Sequence, residues 1–405
     1  MTTYTDNLEE EANSNKDYSE ENLLKVVTLF NKSFGEAMDS FITEFGYTGK
    51  IDDINSKVAY IRKRFSDASI DPPRGIKNWF IEDKGIERDN AFKICFAFNL
   101  NIDQTNDFFK KVYLEKSFDC HTIKEAIYYY CMRNNLSFNE ALNLIKSAPK
   151  DSKGSLGPLD SKKEVLYTGT IIEAIKSCKN ETDLLAYFSE NINQFGYKNV
   201  TATKNIQRLW NEITELSQKE IILRNGFSKK LDETVSDEAK STWDIYLQIL
   251  GLDEEKLPDQ QVADRSIMTT LDGNKILNRF ALNCFPDRDS IDLVRNGNLP
   301  FYEKIRKILI LVVFYTYWVK FSISKKESYP FPDPADADRC ICEINKYLLE
   351  SNYPDLYYGN PYDWIFLWAS RGNDYPLATF RNFIYSLRAV KSEENQADDI
   401  PSGTC

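Results

Sequence analysis

Residues 72–103 read PPRGIKNWFIEDKGIERDNAFKICFAFNLNID, and this stretch decides the expected fold. Ile76 and Trp79 stand three positions apart, a spacing that puts two side chains on the same side of a helix. The apolar run 93–100 predicts a second helix that packs against them. The polar residues between the two apolar positions would face solvent. We therefore expect a short helix with an apolar inner side, a polar outer side and a packing helix behind it.

This order of features resembles the helix-turn-helix domain of the Cro and C1 repressor type, over about residues 60–105. That family often reads Ile-x-x-Trp, then a Gly-rich turn, then a helix of the form Lys-Leu-Ala-x-Ala-Leu-Gly-Val-Ser. Counted from Trp79, the segment KICFAFNLNID falls in register with that last helix without a gap. Phe65 and Ser66 stand in the places of the family's Leu-Ala pair. Three positions depart from the family pattern, at its turn Gly, a Glu and a Pro: Ile70, Phe80 and Ile86.

The resemblance implies that this domain binds duplex DNA. Its recognition helix would present Arg74, Lys77 and Asn78 to base edges or phosphates, because Arg suits guanine and Asn suits adenine. Three consecutive basic side chains on the preceding helix would lie against phosphates: Arg62, Lys63 and Arg64. The alternative is that all six are solubilising side chains on a helical scaffold that does not bind DNA.

The composition favours helices throughout the chain. The 405 residues are enough for two or three domains, and 42% of them are apolar, so a sizeable core can form. Gly and Pro are sparse, at 16 and 14, which argues against a turn-rich β fold. We therefore predict an all-α protein, with a repressor-like helix-turn-helix domain at the N-terminus and a larger helical domain after it.

The net charge of −11 argues against non-specific attraction to a phosphate backbone. The charge is not evenly spread along the chain. Residues 1–50 hold ten acidic and four basic residues, whereas residues 51–150 hold sixteen basic and fourteen acidic residues. The segment that resembles a DNA-binding domain is thus the more basic part of an acidic chain. Chance variation in the charged residues of a solvated surface would also produce such a difference between two parts of a chain.

The chain divides into five predicted parts. Its acidic, polar start predicts a disordered tail, and the crowding of Pro, Gly, Ser and Lys after residue 147 predicts a linker. The parts are an acidic tail (1–21), a helical domain with the helix-turn-helix-like module (22–147), a linker (148–165), a helical C-terminal domain (166–391) and a mobile tail (392–405).

Two helix starts carry the S/T-x-x-E capping pattern, at Thr122 with Glu125 and at Ser137 with Glu140. The most apolar helix is expected at 303–322. Its uninterrupted apolar stretch, 308–319, has twelve residues, whereas a bilayer needs about twenty. We therefore interpret this segment as a buried core helix and expect no membrane association.

The residues give little support for enzyme chemistry. The single histidine, His121, argues against serine triads and against zinc sites that need two histidines. Cys120 beside it would need distant partners to bind a metal, and Cys340 and Cys342 are too close for a usual zinc knuckle. One acidic group could gather a divalent cation or cap a helix: Asp333, Asp336 and Asp338. We expect a non-enzymatic protein without a cofactor or metal.

A second resemblance covers the whole chain. It is similar to large Firmicute proteins that share a basic-Trp helix, a Tyr-Tyr-Tyr-Cys helix and a closing Asn-Pro-Tyr-Asp-Trp motif, here residues 360–364. This resemblance implies no activity.

Together the patterns predict a DNA-associated regulator of the kind found on a mobile element or in a phage-conflict system. Its C-terminal domain would bind a protein partner or a second copy of the chain. The alternative is an acidic helical interaction protein, such as a defence or inhibitor component, in which the helix-turn-helix is only a scaffold. Eight cysteines, several of them inside apolar runs, and a polar start without a secretory signal predict a location in the reducing cytoplasm.

Overall fold

The computed structural model describes residues 33–82, 85–150, 165–231, 241–252, 288–295, 302–371 and 374–384. Within these ranges every regular element is a helix and none is a strand, which confirms the all-α class. The predicted tails, 1–21 and 392–405, lie outside the described residues. So does residue range 151–164, which makes up most of the predicted linker.

Helices α1 to α9 precede residue 200. Their bounds are Phe34–Glu44 (α1), Ile54–Asp67 (α2), Asn78–Ile81 (α3), Arg88–Ala97 (α4), Ile102–Phe108 (α5), Ile123–Arg133 (α6), Phe138–Ser147 (α7), Thr168–Ser177 (α8) and Glu181–Glu190 (α9). Helix α5 continues into a π-helical turn, Phe109–Tyr113, and a 3-10 turn, Ile192–Gln194, follows α9.

Helices α10 to α16 follow residue 199. Their bounds are Val200–Arg224 (α10), Thr242–Leu250 (α11), Arg288–Arg295 (α12), Tyr302–Lys325 (α13), Pro334–Glu350 (α14), Pro361–Arg371 (α15) and 376–384 (α16). A short 3-10 turn, Ser228–Lys230, lies beyond the end of α10.

The buried apolar residues form two hydrophobic cores. One core draws on residues from Ala37 to Phe195, and the other on residues from Ala202 to Ile384. The cores therefore meet near residue 200, whereas the sequence predicted the division at 148–165. The difference arises because α8 and α9 pack into the N-terminal core through four buried side chains: Ile171, Ile175, Leu184 and Phe188. Apolar periodicity predicts that a helix has a buried side but not which core that side joins.

Helix α13 is the centre of the C-terminal core. Among the residues that the structure describes, 304–325 is the helical stretch long and apolar enough to cross a membrane, and 67% of its most apolar window is buried inside the protein. It packs along α10, and Trp318 at its middle is fully enclosed. This burial agrees with the predicted buried core helix.

The two cores are joined by polar contacts as well as by the chain. The backbone N–H of Asn199 donates to Asp119 Oδ2 at 3.0 Å, and the Tyr353 hydroxyl donates to Asn199 Oδ1 at 2.9 Å. The side-chain amide of Asn352 donates to the Phe118 carbonyl at 2.7 Å. Asn199 has a left-handed backbone, φ 51°, and directly precedes α10, so it turns the chain from one core into the other.

Candidate nucleic-acid interface

Helix α2 carries the first three predicted DNA contacts. It begins after Asp53, whose carboxylate accepts a hydrogen bond from the Ser56 backbone at 3.1 Å. Its apolar side, formed by Val58, Ile61 and Phe65, is buried in the N-terminal core. Arg62 and Lys63 lie outside this buried side and are exposed.

The segment after α2 differs from the predicted recognition helix. Residues 74–77 form a turn, and the helix α3 that follows has only four residues, Asn78–Ile81. Gly75 has φ +75°, which lies outside the right-handed helical region, so a continuous helix cannot begin before residue 76. Ile76 lies in the turn directly before α3, outside the regular helix, but the Trp79 backbone N–H donates to the Ile76 carbonyl at 3.2 Å, so the two residues are one turn apart. Both side chains are buried, as predicted.

Trp79 is held against the start of α1. The Trp79 ring meets the edge of Phe34, with ring centroids 5.8 Å apart. The two backbones approach so closely that a Cβ on Gly35 would lie 2.6 Å from the Trp79 carbonyl oxygen. Only glycine fits at this contact. Gly35 in α1 therefore fixes the position of the turn and α3, although sequence reasoning did not single it out.

Four of the predicted contacts are exposed and unpaired, and we call them together the basic turn surface: Arg62, Lys63, Arg74 and Lys77. All four are exposed, and within the described part of the chain their side chains make no ion pair or hydrogen bond. Nearby Lys57 behaves differently, since its ammonium contacts Asp39 at 2.7 Å and lies over the Phe80 ring. The basic turn surface thus has cations that are free to meet an external partner.

Arg64 and Asn78 do not belong to this surface. The Arg64 guanidinium donates from Nη2 to the Phe98 carbonyl at 3.1 Å and lies over the Phe98 ring at 4.9 Å. It therefore binds the C-terminal end of α4, where a cation is favoured, instead of projecting toward phosphates. Asn78 is half-buried at the start of α3.

The charge around this surface is moderately positive. Residues 54–82 hold six Lys or Arg and three Asp or Glu, in a chain whose net charge is −11. Asp67, Asp71 and Glu82 are all exposed. This segment therefore has more basic than acidic residues, and its acidic residues are exposed as well.

The candidate metal ligands are accounted for by ordinary structure. Within the described ranges no group of three or more His, Cys, Asp or Glu side chains could hold a metal ion. Asp333 and Asp336 form a reciprocal cap at the start of α14, and Asp336 also contacts Arg339. Cys340 is buried while Cys342 on the same helix is exposed, so the two thiols do not share a site.

A buried polar cluster lies between α4 and the start of α6, and sequence reasoning missed it. Arg88 pairs with Glu125 through two hydrogen bonds of 2.7 Å and also donates to the carbonyls of Lys116 and Ser117. Asp119 lies within 3.4 Å of the Lys116 ammonium. Burial opposes its charge, but Lys116 and the Asn199 N–H outweigh burial and hold the Asp119 pKa below its ordinary value. The cluster is a network of structural contacts that is enclosed by the fold.

His121 and Cys120 lie in the same enclosed region. Burial lowers the pKa of His121, and its Nδ1 lies 3.0 Å from the Gln194 carbonyl, which identifies this nitrogen as the donor of a neutral ring. Burial likewise raises the pKa of Cys120, so its thiol stays protonated and unreactive. The adjacent Cys and His are therefore core residues in this fold.

The chain was compared with protein-family models, with curated proteins and with solved structures, and none of them matches it.

Proposed function

We propose that this protein is a DNA-associated regulator that binds duplex DNA through the basic turn surface. The observation that carries the proposal is that Arg62, Lys63, Arg74 and Lys77 are exposed and unpaired within the described residues. In the proposed correspondence with a helix-turn-helix domain, they match positions that meet phosphates and base edges. The short α3 presents fewer side chains than a full recognition helix would. We therefore assign most of the binding to phosphate contacts and little of it to base readout.

The physical consequence is a strong dependence on salt. Each phosphate neutralised by Lys or Arg releases condensed counterions, and the slope of log K against log salt is about −0.9 per contact. Four contacts from the basic turn surface give a slope of about −3.6. The net charge of −11 does not attract DNA. The slope of log K against log salt should therefore reflect only the cations of the basic turn surface.

The test is fluorescence anisotropy of the full chain with a labelled random duplex over a salt series. The double variant Arg74→Ala with Lys77→Ala should bind more weakly and reduce the slope by about 2. A matched control is Lys146→Ala with Lys150→Ala, because both lysines are exposed and the change in net charge is the same. Absence of binding by the wild type, or equal weakening by both double variants, would contradict the proposal.

A second candidate function, protein interaction, has its own supporting observation. Between α13 and α14, Tyr329 and Phe331 project into solvent, and Phe331 is 77% exposed. The prolines between and beyond them, Pro330 and Pro332, are buried and the Tyr329 ring packs against Tyr375, so the loop is pinned while Phe331 stays exposed. Exposed aromatic side chains on a fixed backbone are typical anchors of protein interfaces. A second copy of the chain is the partner proposed for this loop.

Sedimentation velocity at several protein concentrations tests the second candidate. Phe331→Ser should abolish concentration-dependent dimerisation, because it removes the anchor without disturbing buried structure. Leu349→Ser is the control, since Leu349 is also exposed, at 63%, but lies on a helix away from the loop tip. A wild-type chain that stays monomeric at all concentrations would exclude self-association through Phe331.

We also propose a cytoplasmic location, on the evidence of the cysteines. The six cysteines that the structure describes are all free thiols, and four of them are buried. Buried free thiols are usual in a reducing compartment. A bacterial regulator of DNA would act in that compartment.

A further inference from the structure

A cavity of about 390 Å³ lies within the N-terminal half. It is bordered by the C-terminal ends of α2 and α4 and by the turn between α6 and α7. Its volume falls in the range of about 300–1,000 Å³ that is usual for small-molecule sites. The lining residues that bear on its chemistry are Arg64, Asp67, Met132, Leu136, Phe138 and Glu140.

Arg64 supplies a fixed cation on one side of the cavity. Its guanidinium is held in place by the Phe98 carbonyl and the Phe98 ring. Its Nη1 donates to no described residue. Nη1 therefore has two free N–H bonds, and a charge-assisted hydrogen bond to a carboxylate suits such a donor. The missing partner of Arg64 is therefore expected to be an anionic group.

Two carboxylates supply the opposite charge. Asp67 is exposed one helical turn after Arg64, and its side chain makes no ion pair within the described residues. Glu140 accepts hydrogen bonds from the Ser137 backbone and hydroxyl at 2.6 and 2.7 Å, and these bonds lower its pKa. It is therefore ionised at neutral pH. A simple carboxylate ligand would meet these charges unfavourably, whereas a ligand that also carries an ammonium group would not.

The remaining wall is apolar. Met132 and Phe138 are largely buried and Leu136 is half-buried, and all three border the cavity. A methionine next to an aromatic ring adapts to apolar side chains of different shape. The cavity thus combines one cation, two anions and a compliant apolar wall.

We propose that this cavity binds a free α-amino acid with an apolar side chain. Arg64 binds the carboxylate, Asp67 and Glu140 bind the ammonium group, and the side chain lies against Leu136 and Phe138. This site is separate from the DNA contacts of the basic turn surface. It stands whether or not the protein binds DNA.

Isothermal titration calorimetry of the full chain tests the site with three matched probes. Free leucine carries both charges, 4-methylpentanoate lacks the ammonium group, and 3-methylbutylamine lacks the carboxylate. Leucine should bind at millimolar concentration or below, and each analogue should bind at least about tenfold more weakly, because each loses one charged hydrogen-bonding group. Equal binding of 4-methylpentanoate, or no binding of leucine, methionine or phenylalanine, would overturn the proposal.

Two variants connect the binding to the cavity. Asp67→Asn removes an exposed, unpaired charge, so the fold should be unchanged while leucine affinity falls about tenfold. Arg64→Gln should weaken binding further, but it also removes the contact with Phe98. Its urea midpoint is therefore measured beside its affinity. Leucine affinity that is unchanged in Asp67→Asn and in a folded Arg64→Gln would place the ligand elsewhere and refute the assignment.

Discussion

Single residues hold distant helices together through buried charge pairs. Arg306 in α13 contacts Asp363 in α15 through hydrogen bonds of 2.5 and 2.7 Å, and both side chains are almost fully enclosed. Asp363 also accepts from the Tyr357 backbone at 3.0 Å. Asn360 accepts from the Tyr362 backbone at the start of the same helix. The Asn-Pro-Tyr-Asp-Trp motif thus caps α15 and docks it on the apolar helix.

Asp363→Asn should strongly destabilise the protein. Removing one partner of a buried ion pair leaves the other charge uncompensated, and the cost is about 3–5 kcal/mol. The measurement is the free energy of unfolding in urea. Asp338→Asn is the matched control, because Asp338 is exposed on α14 and its side chain makes no ion pair or hydrogen bond within the described residues. Equal stability of the two variants would show that the pair contributes little.

His121 should make stability depend on pH near neutrality. Burial lowers its pKa, with a smaller contribution from Lys116 and Lys204, while Asp119 and the Gln194 carbonyl oppose the change. The unfolded chain therefore takes up a proton near pH 6.5, where the folded chain does not. The free energy of unfolding should fall as pH drops from about 7 toward 5.5, by at most about 1.4 kcal/mol per pH unit.

The variant His121→Gln isolates this effect, because the chain has a single histidine. Glutamine retains an N–H donor for the Gln194 carbonyl and does not titrate. Its free energy of unfolding should stay nearly constant over the same pH range, whereas that of the wild type falls. Parallel curves for the two proteins would assign the pH dependence to other groups.

At the scale of elements, sequence predicts helix starts better than it predicts the partners of their polar residues. Ser137 and Glu140 form the predicted capping box at the start of α7. Thr122 precedes α6 as predicted, but its side chain makes no cap, and Glu125 instead binds Arg88 and the Asp119 N–H. A spacing of three residues identifies local partners only. It cannot reveal a stronger partner 37 positions away.

The contact between α1 and Trp79 decides whether the basic turn surface keeps its position. Gly35→Ala should cost about 1–3 kcal/mol, because the new methyl group would overlap the Trp79 carbonyl oxygen. Gly169→Ala in α8 is the control, since nothing lies within 4 Å of its Cβ, and it should stabilise the protein by about 0.5–1 kcal/mol. Thermal unfolding compares the two, and a Gly35→Ala protein as stable as the wild type would contradict the close approach.

At the scale of the whole molecule, the composition of the chain predicts the all-α class. It does not predict where the chain passes from one hydrophobic core to the other. The chain has few Gly and Pro residues and many amphipathic segments, and both features favour helices. The predicted boundary rested on a polar stretch between two helical regions. Side chains such as Ile171 and Phe188 lie beyond that stretch and still complete the first core. The assignment of a helix to a core depends on long-range packing, which a local composition change does not report.

The division of the cores predicts how fragments of the chain behave. A fragment of residues 22–147 lacks the apolar side chains of α8 and α9 that cover the N-terminal core, whereas a fragment of residues 22–197 keeps them. The longer fragment should unfold in one cooperative thermal transition, followed by circular dichroism. The shorter one should unfold without a sharp transition and expose apolar surface to a hydrophobic dye. Cooperative unfolding of residues 22–147 alone would show that the N-terminal core does not need α8 and α9. The boundary between the two domains would then lie at 148–165.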